Sequence, residues 1–361
     1  MSSIKKRIGR FGRRYGGRPF EAVVRFVHNA YGMANDMIET VRICGKHFVA
    51  GPEDAGFYDR YYTAKPASGI VDASSERAEL KRGIICMYDG RIVHGGLTDR
   101  IRGLLTTYRE AKRRGLPFYI YWDTPFELAD YLEPAEVDWR IDRRELSFYK
   151  EEAYPVIIQD MSHLNNKFRL DAALFRARPQ THVYSNADNA RGEYAGLYNE
   201  LFKPTAALQS LVDSHLAELG TGYEAFAFRF MSLLGDFDDC SGEILRGKEY
   251  DDFIEKVIGE FRKRIESLPD DRRILVTSDS RKFLDMALAM DSRIYVAPGL
   301  VKHIDRDRGN HEDAWMKTFV DQQLLMHAEK VTQMITGKMY NSGFPRFAAE
   351  VGGTQYVLHR F

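Results

Sequence analysis

Residues 83–114 constrain the fold of this chain most, because they are typical of a strand, a glycine loop and a helix in succession. Residues 83–88 form a short apolar run of the kind found in buried strands. Gly95 and Gly96 follow, and apolar residues then recur at helical spacing over 98–114. This order predicts an α/β fold whose loop directs backbone N–H groups toward an anionic or polar ligand. Glycines that merely turn the chain are the open alternative.

Strands and helices continue to alternate along the chain, which indicates parallel, doubly wound sheets. In the first unit, a strand at 116–122 precedes a short helix that starts near Pro125, with Asp123 as its cap. Residues 140–195 are poorly patterned. A helix at 205–219 leads into the second unit, in which strands at 225–230, 273–277, 292–296 and 331–336 alternate with helices at 250–267, 280–290, 312–328 and 343–350.

The length of the chain, 361 residues, exceeds what one hydrophobic core usually organises, so two α/β domains are expected. We assign residues 81–205 to an N-terminal, acceptor-side domain and residues 206–361 to a C-terminal, nucleotide-sugar-binding domain. Residues 1–80 are interpreted as a basic tail, a helix at 20–47 and a polar connector from about 51 to 80.

Charge and cysteine content narrow the function classes. Lys plus Arg equals Asp plus Glu, 52 each, and the positive excess is confined to the first 18 residues, so a nucleic-acid partner is not expected. Residues 1–19 alternate bases with apolar side chains, which fits either an anionic membrane surface or a solvated tail. Three scattered cysteines and no long apolar run predict a cytoplasmic protein, with peripheral attachment at the inner membrane face as the hypothesis for the tail.

Polar side chains follow three strands of the second unit, where ligands bind in open α/β sheets. Arg229 could grip a phosphate with its guanidinium, or pair with Asp236 or Asp239. The segment from Ser278 through Asp279 to Ser280 could bind ribose or phosphate, and the alternative is that Ser278 caps the next helix. The segment from Ser342 through Gly343 to Phe344 opens the last helix and has the same two interpretations. Together these residues favour a nucleoside diphosphate.

Four segments in this order resemble the motifs of the fucosyltransferase superfamily that includes α1,2-, α1,6- and protein-O-fucosyltransferases. They are His94 to Arg100, Phe228 to Asp236, Ile274 to Ser280, and Asn341 to Ala349, and the resemblance spans roughly residues 83–353. It implies a GT-B fold, with two facing Rossmann-like domains and GDP-fucose bound mainly by the C-terminal one.

The resemblance further implies an inverting transferase that works without a metal ion. Arg229 would stabilise the leaving phosphate, while Ser278, Asp279 and Ser342 would hold ribose, base or phosphate. The loop with Gly95 and Gly96 would face the donor across the cleft. Acidic pairs at 236–238 and 305–307 have a spacing that some metal-dependent transferases use, but solvated loops explain them more simply.

The chain departs from the family pattern at two positions. Asp99 replaces the family's asparagine, and Ala227 replaces its histidine. Loss of the histidine removes a hydrogen-bond donor near the sugar, which puts fucose as the transferred sugar in doubt. Asp99 is the candidate general base, with Asp123 and Glu127 as rivals and a salt bridge to Arg100 or Arg102 as the structural alternative.

We therefore expect a glycosyltransferase that acts in polysaccharide biosynthesis and transfers fucose from GDP-fucose to a glycan or lipid-linked saccharide. A transferase with another nucleotide sugar, or a non-catalytic nucleotide-binding module of the same fold, are the alternatives. No cofactor beyond the donor substrate is expected.

Overall fold

The computed structural model describes residues 52–65, 79–159, 163–237, 242–299, 301–304 and 312–361. The predicted basic tail and the predicted helix at 20–47 lie outside these residues, as do the acids at 238–239 and 305–307. Cys86 is described and is a buried free cysteine. Within the described ranges, no helix is both long and apolar enough to cross a lipid bilayer.

The first half of the described chain forms a four-stranded sheet with flanking helices. Its elements are α1 (Pro52–Tyr61), β1 (Gly83–Tyr88), α2 (Leu97–Arg114), β2 (Phe118–Trp122), β3 (Leu132–Pro134), β4 (Ala153–Ile158), α3 (His163–Phe175), β5 (Gln180–Ser185), α4 (Tyr194–Leu201), β6 (Phe202–Pro204) and α5 (Ala206–Leu219). The parallel sheet has the order β2-β1-β5-β4, and β3 pairs with β6 in a separate antiparallel ribbon.

The second half forms a five-stranded parallel sheet. Its elements are β7 (Glu224–Phe228), α6 (Gly247–Glu266), β8 (Ile274–Ser278), α7 (Arg281–Leu288), β9 (Ile294–Tyr295), α8 (Glu312–His327), β10 (Lys330–Ile335), α9 (Gly343–Gly352) and β11 (Gln355–Arg360). The strand order is β11-β10-β7-β8-β9. The chain winds outward from β7 in both directions, so the crevice between β7 and β10 is the topological switch point where such sheets bind ligands.

The inner strands are buried on both faces of their sheets, which explains the continuous apolar runs of β1 and β8. In β1, Ile84 and Cys86 join the core beneath α2, whereas Ile85 and Met87 pack in a second cluster on the opposite face. In β7, Ala225 and Phe226 divide in the same way between two cores. This is the alternation that a pleated strand imposes. The predicted α/β class, with a parallel sheet in each of two units, is confirmed.

Helix α2 has clear signals at both ends. Gly115 ends it in the left-handed conformation (φ 63°), where its N–H donates to Ala111 O and Lys112 O. Asp99 lies in the first turn and basic residues lie in the last turn, each at the end of the helix dipole that favours its charge. The predicted helix at 98–114 is therefore confirmed within one residue.

The two units share one hydrophobic core. Phe126 and Tyr131 of the first unit contact Trp315 and Phe319 of α8 in the second. Tyr131 stacks on Phe319 with ring centres 4.6 Å apart, and Phe126 lies 5.6 Å from Trp315 and 5.7 Å from Phe319. These ring contacts hold the two units together.

Three local predictions are wrong. The segment read as a connector at 51–80 contains α1, whose Phe57 packs edge-on against Tyr184 at 4.9 Å. No helix starts near Pro125: a single 3-10 turn occurs at Leu128–Asp130. The Asp123 carboxylate instead accepts from Tyr121 Oη (2.7 Å) and Thr124 Oγ1 (2.9 Å), so it caps no helix.

The sequence analysis predicted no elements for the poorly patterned residues 140–195. Residues 140–195 contain β4, α3 and β5. The last strand, β11, also has no counterpart among the predicted elements. It is an edge strand of intermediate burial, and its apolar run is only three residues long, from Tyr356 to Leu358.

Candidate active site

A cavity of about 590 Å³ lies between the two units. Its walls are the first turn of α2, the carboxyl ends of β7 and β8, the start of α9, part of α8 and the segment 301–304. This volume falls within the range of pockets that enclose small-molecule ligands. The cavity opens where the switch point of the second sheet faces the glycine loop of the first unit.

Most residues predicted for the site line this one cavity. They are Gly95, Gly96, Asp99, Arg229, Ser278, Asp279, Ser342, Gly343 and Phe344. Ala227 lines it as well. Parallel strands bring their carboxyl ends to one edge of a sheet, which is why residues so far apart in sequence meet here.

Ser280 does not reach the cavity. Its side chain is fully buried, and its Oγ accepts from Phe283 N at 3.2 Å as the cap of α7. The same Oγ donates to Asp236 Oδ2 at 2.9 Å. Ser280, predicted to bind the donor, is therefore a helix cap, a role that the sequence analysis assigned as an alternative to Ser278.

The start of α2 presents backbone groups to the cavity. Gly95 has a positive φ of 86°, and a Cβ there would lie 2.8 Å from the Asp99 carboxylate, so the turn requires glycine. Gly96 is the N-cap, without a side-chain hydrogen bond and with open space where a Cβ would be. Arg100 braces the loop from behind, since it is 3% exposed and donates to Gly95 O (3.2 Å) and Thr124 O (2.8 Å).

Arg229 follows β7 and carries its guanidinium into the cavity wall. Its side chain is 21% exposed, and Nη1 lies 3.3 Å from Asp279 Oδ2. The guanidinium also lies over the Phe237 ring, 4.6 Å from its centre. Asp236, predicted as an alternative partner, accepts instead from Ser280 Oγ and from Lys282 N (2.8 Å). Among the described residues, Asp279 is thus an ion-pair partner of Arg229, and the other predicted partner, Asp239, lies outside them.

Asp279 organises the loop that carries Arg229. Its buried carboxylate accepts from Phe230 N (2.9 Å) and Met231 N (2.7 Å), besides the contact with Arg229. Burial raises the pKa of Asp279, and the guanidinium and both N–H groups oppose that rise. Met231 has a positive φ of 57°, which is costly for a side chain of this size, and the hydrogen bond to Asp279 holds it there. Asp279 is a positioning residue for Arg229.

The start of α9 forms the third wall. Ser342 is the N-cap, and its Oγ accepts from Phe344 N at 3.2 Å. Gly343 O accepts from Arg102 Nη2 at 3.2 Å, a contact that crosses from α2 to the second unit. A Cβ at Gly343 would lie 2.4 Å from that nitrogen, so the close approach of Arg102 requires glycine.

Asp99 is the candidate base that the structure places on the cavity. Its side chain is 52% exposed, and Arg102 Nη1 lies 3.8 Å from Oδ1, the outer limit of an ion pair. The rivals Asp123 and Glu127 do not line the cavity. Burial raises the pKa of Glu127, and the nearby acids Asp123 and Asp130 raise it further.

Sequence reasoning named Arg102 only as a salt-bridge partner of Asp99, and it missed both the contact of Arg102 with Gly343 and the wall supplied by α8. Lys317 and Asp321, four residues apart on α8, form a buried ion pair, and Asp321 lines the cavity together with Thr318. Burial raises the pKa of Asp321, and Lys317 opposes the rise. The Lys-to-Asp spacing in a predicted helix was a visible signal, but such pairs usually lie on a solvated surface. Within the described ranges, no three His, Cys, Asp or Glu side chains cluster as metal ligands.

No protein-family model and no curated protein sequence matches this chain. Among solved structures, a mutant of the fucosyltransferase FUT1 from Arabidopsis thaliana in complex with GDP is 14% identical, with a TM-score of 0.49 over 91% of this chain and 78% of that one. The fucosyltransferase NodZ from Bradyrhizobium is 15% identical, with a TM-score of 0.49 over 74% and 93%. POFUT1 in complex with GDP is 10% identical, with a TM-score of 0.45 over 79% and 99%.

Proposed function

We propose that this protein is an inverting glycosyltransferase that transfers fucose from GDP-fucose to a hydroxyl of a glycan or lipid-linked saccharide. The observation that carries the proposal is the convergence of Arg229, the capped start of α9 and the open start of α2 on one interdomain cavity. Two helix starts and a guanidinium are the groups that bind a diphosphate.

The diphosphate would lie between Arg229 and the start of α9. A guanidinium can bind two phosphate oxygens at once, and the N–H groups at a helix start add partial positive charge. As the bond between the sugar carbon and the phosphate oxygen breaks, negative charge grows on the leaving GDP. Arg229 is fixed in advance by Asp279, so it stabilises that charge without rearrangement.

The acceptor would enter from the first unit, opposite the diphosphate. Asp99 would accept the proton of the attacking hydroxyl while its oxygen bonds to the anomeric carbon from the face opposite the leaving group. That displacement inverts the configuration at the carbon, and the proton ends on the Asp99 carboxyl. The exposure of Asp99 at the cavity supports this role over Asp123 and Glu127.

A non-catalytic nucleotide-binding module is the second candidate function, and one observation favours it. Ala227 lines the cavity, so a methyl group stands where the family has an imidazole. Both functions require nucleotide binding, and only the first requires release of GDP from GDP-fucose. A GDP-release assay with added acceptor saccharides separates them.

The test of the donor site is a thermal-shift and calorimetry panel of GDP, UDP, ADP and CMP with wild type and Arg229→Ala. At 100 times its dissociation constant, a ligand adds about 2.7 kcal/mol of stability, so GDP should clearly raise the wild-type melting temperature. Arg229→Ala should lose that shift.

The matched control is Arg281→Ala, which removes an exposed arginine paired with Asp285 on α7 and should leave the shift unchanged. Equal GDP shifts for wild type and Arg229→Ala, or no shift with any nucleotide, would overturn the donor site. Preference for UDP would keep a transferase but change its sugar donor.

A further inference from the structure

We infer that Arg102, on α2 of the first unit, holds the start of α9 in the geometry that binds the donor's phosphates; this rests on the function proposed above. Arg102 is not among the described residues that line the cavity, so it is a positioning residue that acts through α9. The phosphate-binding wall is then built by the second unit and set in place by the first. The affinity for GDP therefore depends on a contact between the two units.

The contact fixes one peptide plane at the start of α9. Arg102 Nη2 donates to Gly343 O at 3.2 Å, and the guanidinium lies 6.0 Å from the centre of the Phe347 ring, one turn further along the helix. In a trans peptide, the C=O of Gly343 and the N–H of Phe344 share a plane and point in opposite directions. The hydrogen bond to the carbonyl therefore sets the direction of that N–H, which donates to Ser342 Oγ at 3.2 Å. Arg102 thus fixes the cap and the first turn of α9, the part of this helix that lines the cavity.

Arg102 is itself held by the first unit. Its Nη1 lies 3.7 Å from Asp188 Oδ2 and 3.8 Å from Asp99 Oδ1. The Asp188 side chain is 8% exposed, and it accepts from Arg191 Nη2 (2.6 Å) and from Tyr194 Oη. Burial alone would raise the pKa of Asp188, but these hydrogen bonds and the charge of Arg102 outweigh burial and hold that pKa below its usual value. An ionised carboxylate of the first unit therefore anchors the guanidinium whose other nitrogen reaches α9.

The charge of Arg102 also suits an anionic ligand. The start of a helix carries partial positive charge, so a cation beside it is unfavourable unless anions compensate. Arg102 places a guanidinium beside the start of α9, and Asp188 and Asp99 compensate part of this charge from the first unit. A diphosphate between α9 and Arg229 would compensate more of it. Arg102 therefore favours the ligand-bound state through its charge as well as through its contact with Gly343.

The experiment measures GDP affinity by calorimetry for full-length wild type and Arg102→Met. Methionine keeps an unbranched stem beside Phe347 and removes both the donor and the charge. Loss of one hydrogen bond from a charged donor corresponds to about tenfold or more in affinity, so Arg102→Met should bind GDP at least about tenfold more weakly than wild type. Guanosine, which has no phosphates, should bind both proteins equally in ligand-observed NMR.

Arg102→Lys separates position from charge. A single ammonium cannot reproduce the two-sided contact of the guanidinium with Gly343 O and Asp188, so this variant should also bind GDP more weakly than wild type. Without ligand, hydrogen exchange in the first turn of α9 should be faster in both variants than in wild type, because that turn loses its hold on the first unit.

The matched control is Arg109→Met, on the same helix. The side chains of Arg109 and Arg102 are 13% and 12% exposed, so the two substitutions remove equally buried guanidinium groups. Arg109 donates to Asn189 O at 2.6 Å and pairs with Glu193 at 3.0 Å, both within the first unit. It should keep the wild-type affinity for GDP, because these contacts do not cross to α9.

The outcomes separate the two levels of the proposal. If wild type binds no GDP, the proposed function fails. If Arg102→Met binds GDP as tightly as wild type, loses GDP and guanosine equally, or loses no more GDP affinity than Arg109→Met, the donor site stands and positioning by Arg102 is refuted. Should Arg102→Met not fold, Arg102→Lys decides, because wild-type GDP affinity together with wild-type exchange in the first turn of α9 refutes the inference.

Discussion

Gly103, in the middle of α2, gives the sharpest test of how this helix is packed. A Cβ added there would lie 2.3 Å from Ser185 O, 2.5 Å from Ser185 C and 2.7 Å from Asn186 Cα. All three atoms belong to backbone at the carboxyl end of β5, which cannot rotate away as a side chain can. Gly103→Ala therefore forces α2 away from the sheet.

The sign of the effect distinguishes packing from helix propensity. In an open helix, Gly→Ala stabilises by about 1 kcal/mol. Extra methyl groups in a packed core cost about 1–3 kcal/mol of stability. Because the added Cβ of Gly103→Ala would contact backbone atoms, we expect a cost at the upper end of this range. The net expectation is a loss of about 2 kcal/mol after the propensity gain is subtracted.

The control is Gly259→Ala in α6, where nothing lies within 4 Å of the added Cβ. It should be more stable than wild type by about 1 kcal/mol, so the two variants should differ by about 3 kcal/mol. Urea unfolding followed by tryptophan fluorescence measures both. If Gly103→Ala is as stable as Gly259→Ala, the claim that α2 packs too closely on β5 to admit a Cβ at position 103 is refuted.

Two further predictions follow from buried groups. Asp279→Asn should lower kcat/KM at least about 100-fold with a folded circular-dichroism spectrum, because Arg229 loses the charge that holds it; unchanged turnover would contradict that role. Burial lowers the pKa of both His94 and His182 to about 3, from 6.5. As the pH falls, both histidines are protonated in the unfolded chain before they are protonated in the folded protein. Their contribution to the free energy of unfolding is therefore fully present above pH 6.5 and is lost as the pH falls toward 3. Between pH 7 and pH 5 each histidine should cost about 2 kcal/mol in urea unfolding, and His182→Gln should halve this histidine contribution. If His182→Gln loses as much unfolding free energy between pH 7 and pH 5 as wild type does, the contribution assigned to His182 is refuted.

The fold could be predicted where burial alone shapes the sequence. The strand β1 and the helix α2 have periodic apolar residues, and their predicted bounds hold within one residue. The strand β5 was missed because it buries polar residues. Gln180 donates to Lys81 O (2.8 Å) and accepts from Ser147 N (2.9 Å), while His182 Nδ1 lies 2.7 Å from Tyr62 Oη. Such long-range hydrogen bonds satisfy the polar groups of a strand without leaving an apolar pattern.

The site could be predicted as a location but not in its internal contacts. Parallel strands bring their carboxyl ends together, so Arg229 and Ser342 were expected near each other. The direction of each side chain depends on tertiary packing, which the sequence pattern does not fix. Ser280 turns inward to cap α7, and Asp279 binds Arg229 and the neighbouring backbone. Asp321 lies inside α8, six residues before the end of that helix at His327, where no motif indicates a residue that lines a cavity.

The aromatic contact between the two units has a consequence for how ligands enter and leave. Phe126, Tyr131, Trp315 and Phe319 each bury roughly 150–250 Å² as large aromatic side chains. Exposing half of that area, about 400 Å², would cost on the order of 10 kcal/mol. A hinge opening at this end would then be populated in about one molecule in 10⁷. For the function proposed above, the donor would therefore exchange without separation of these four rings, and its exchange rate would depend on the loops at the rim of the cavity.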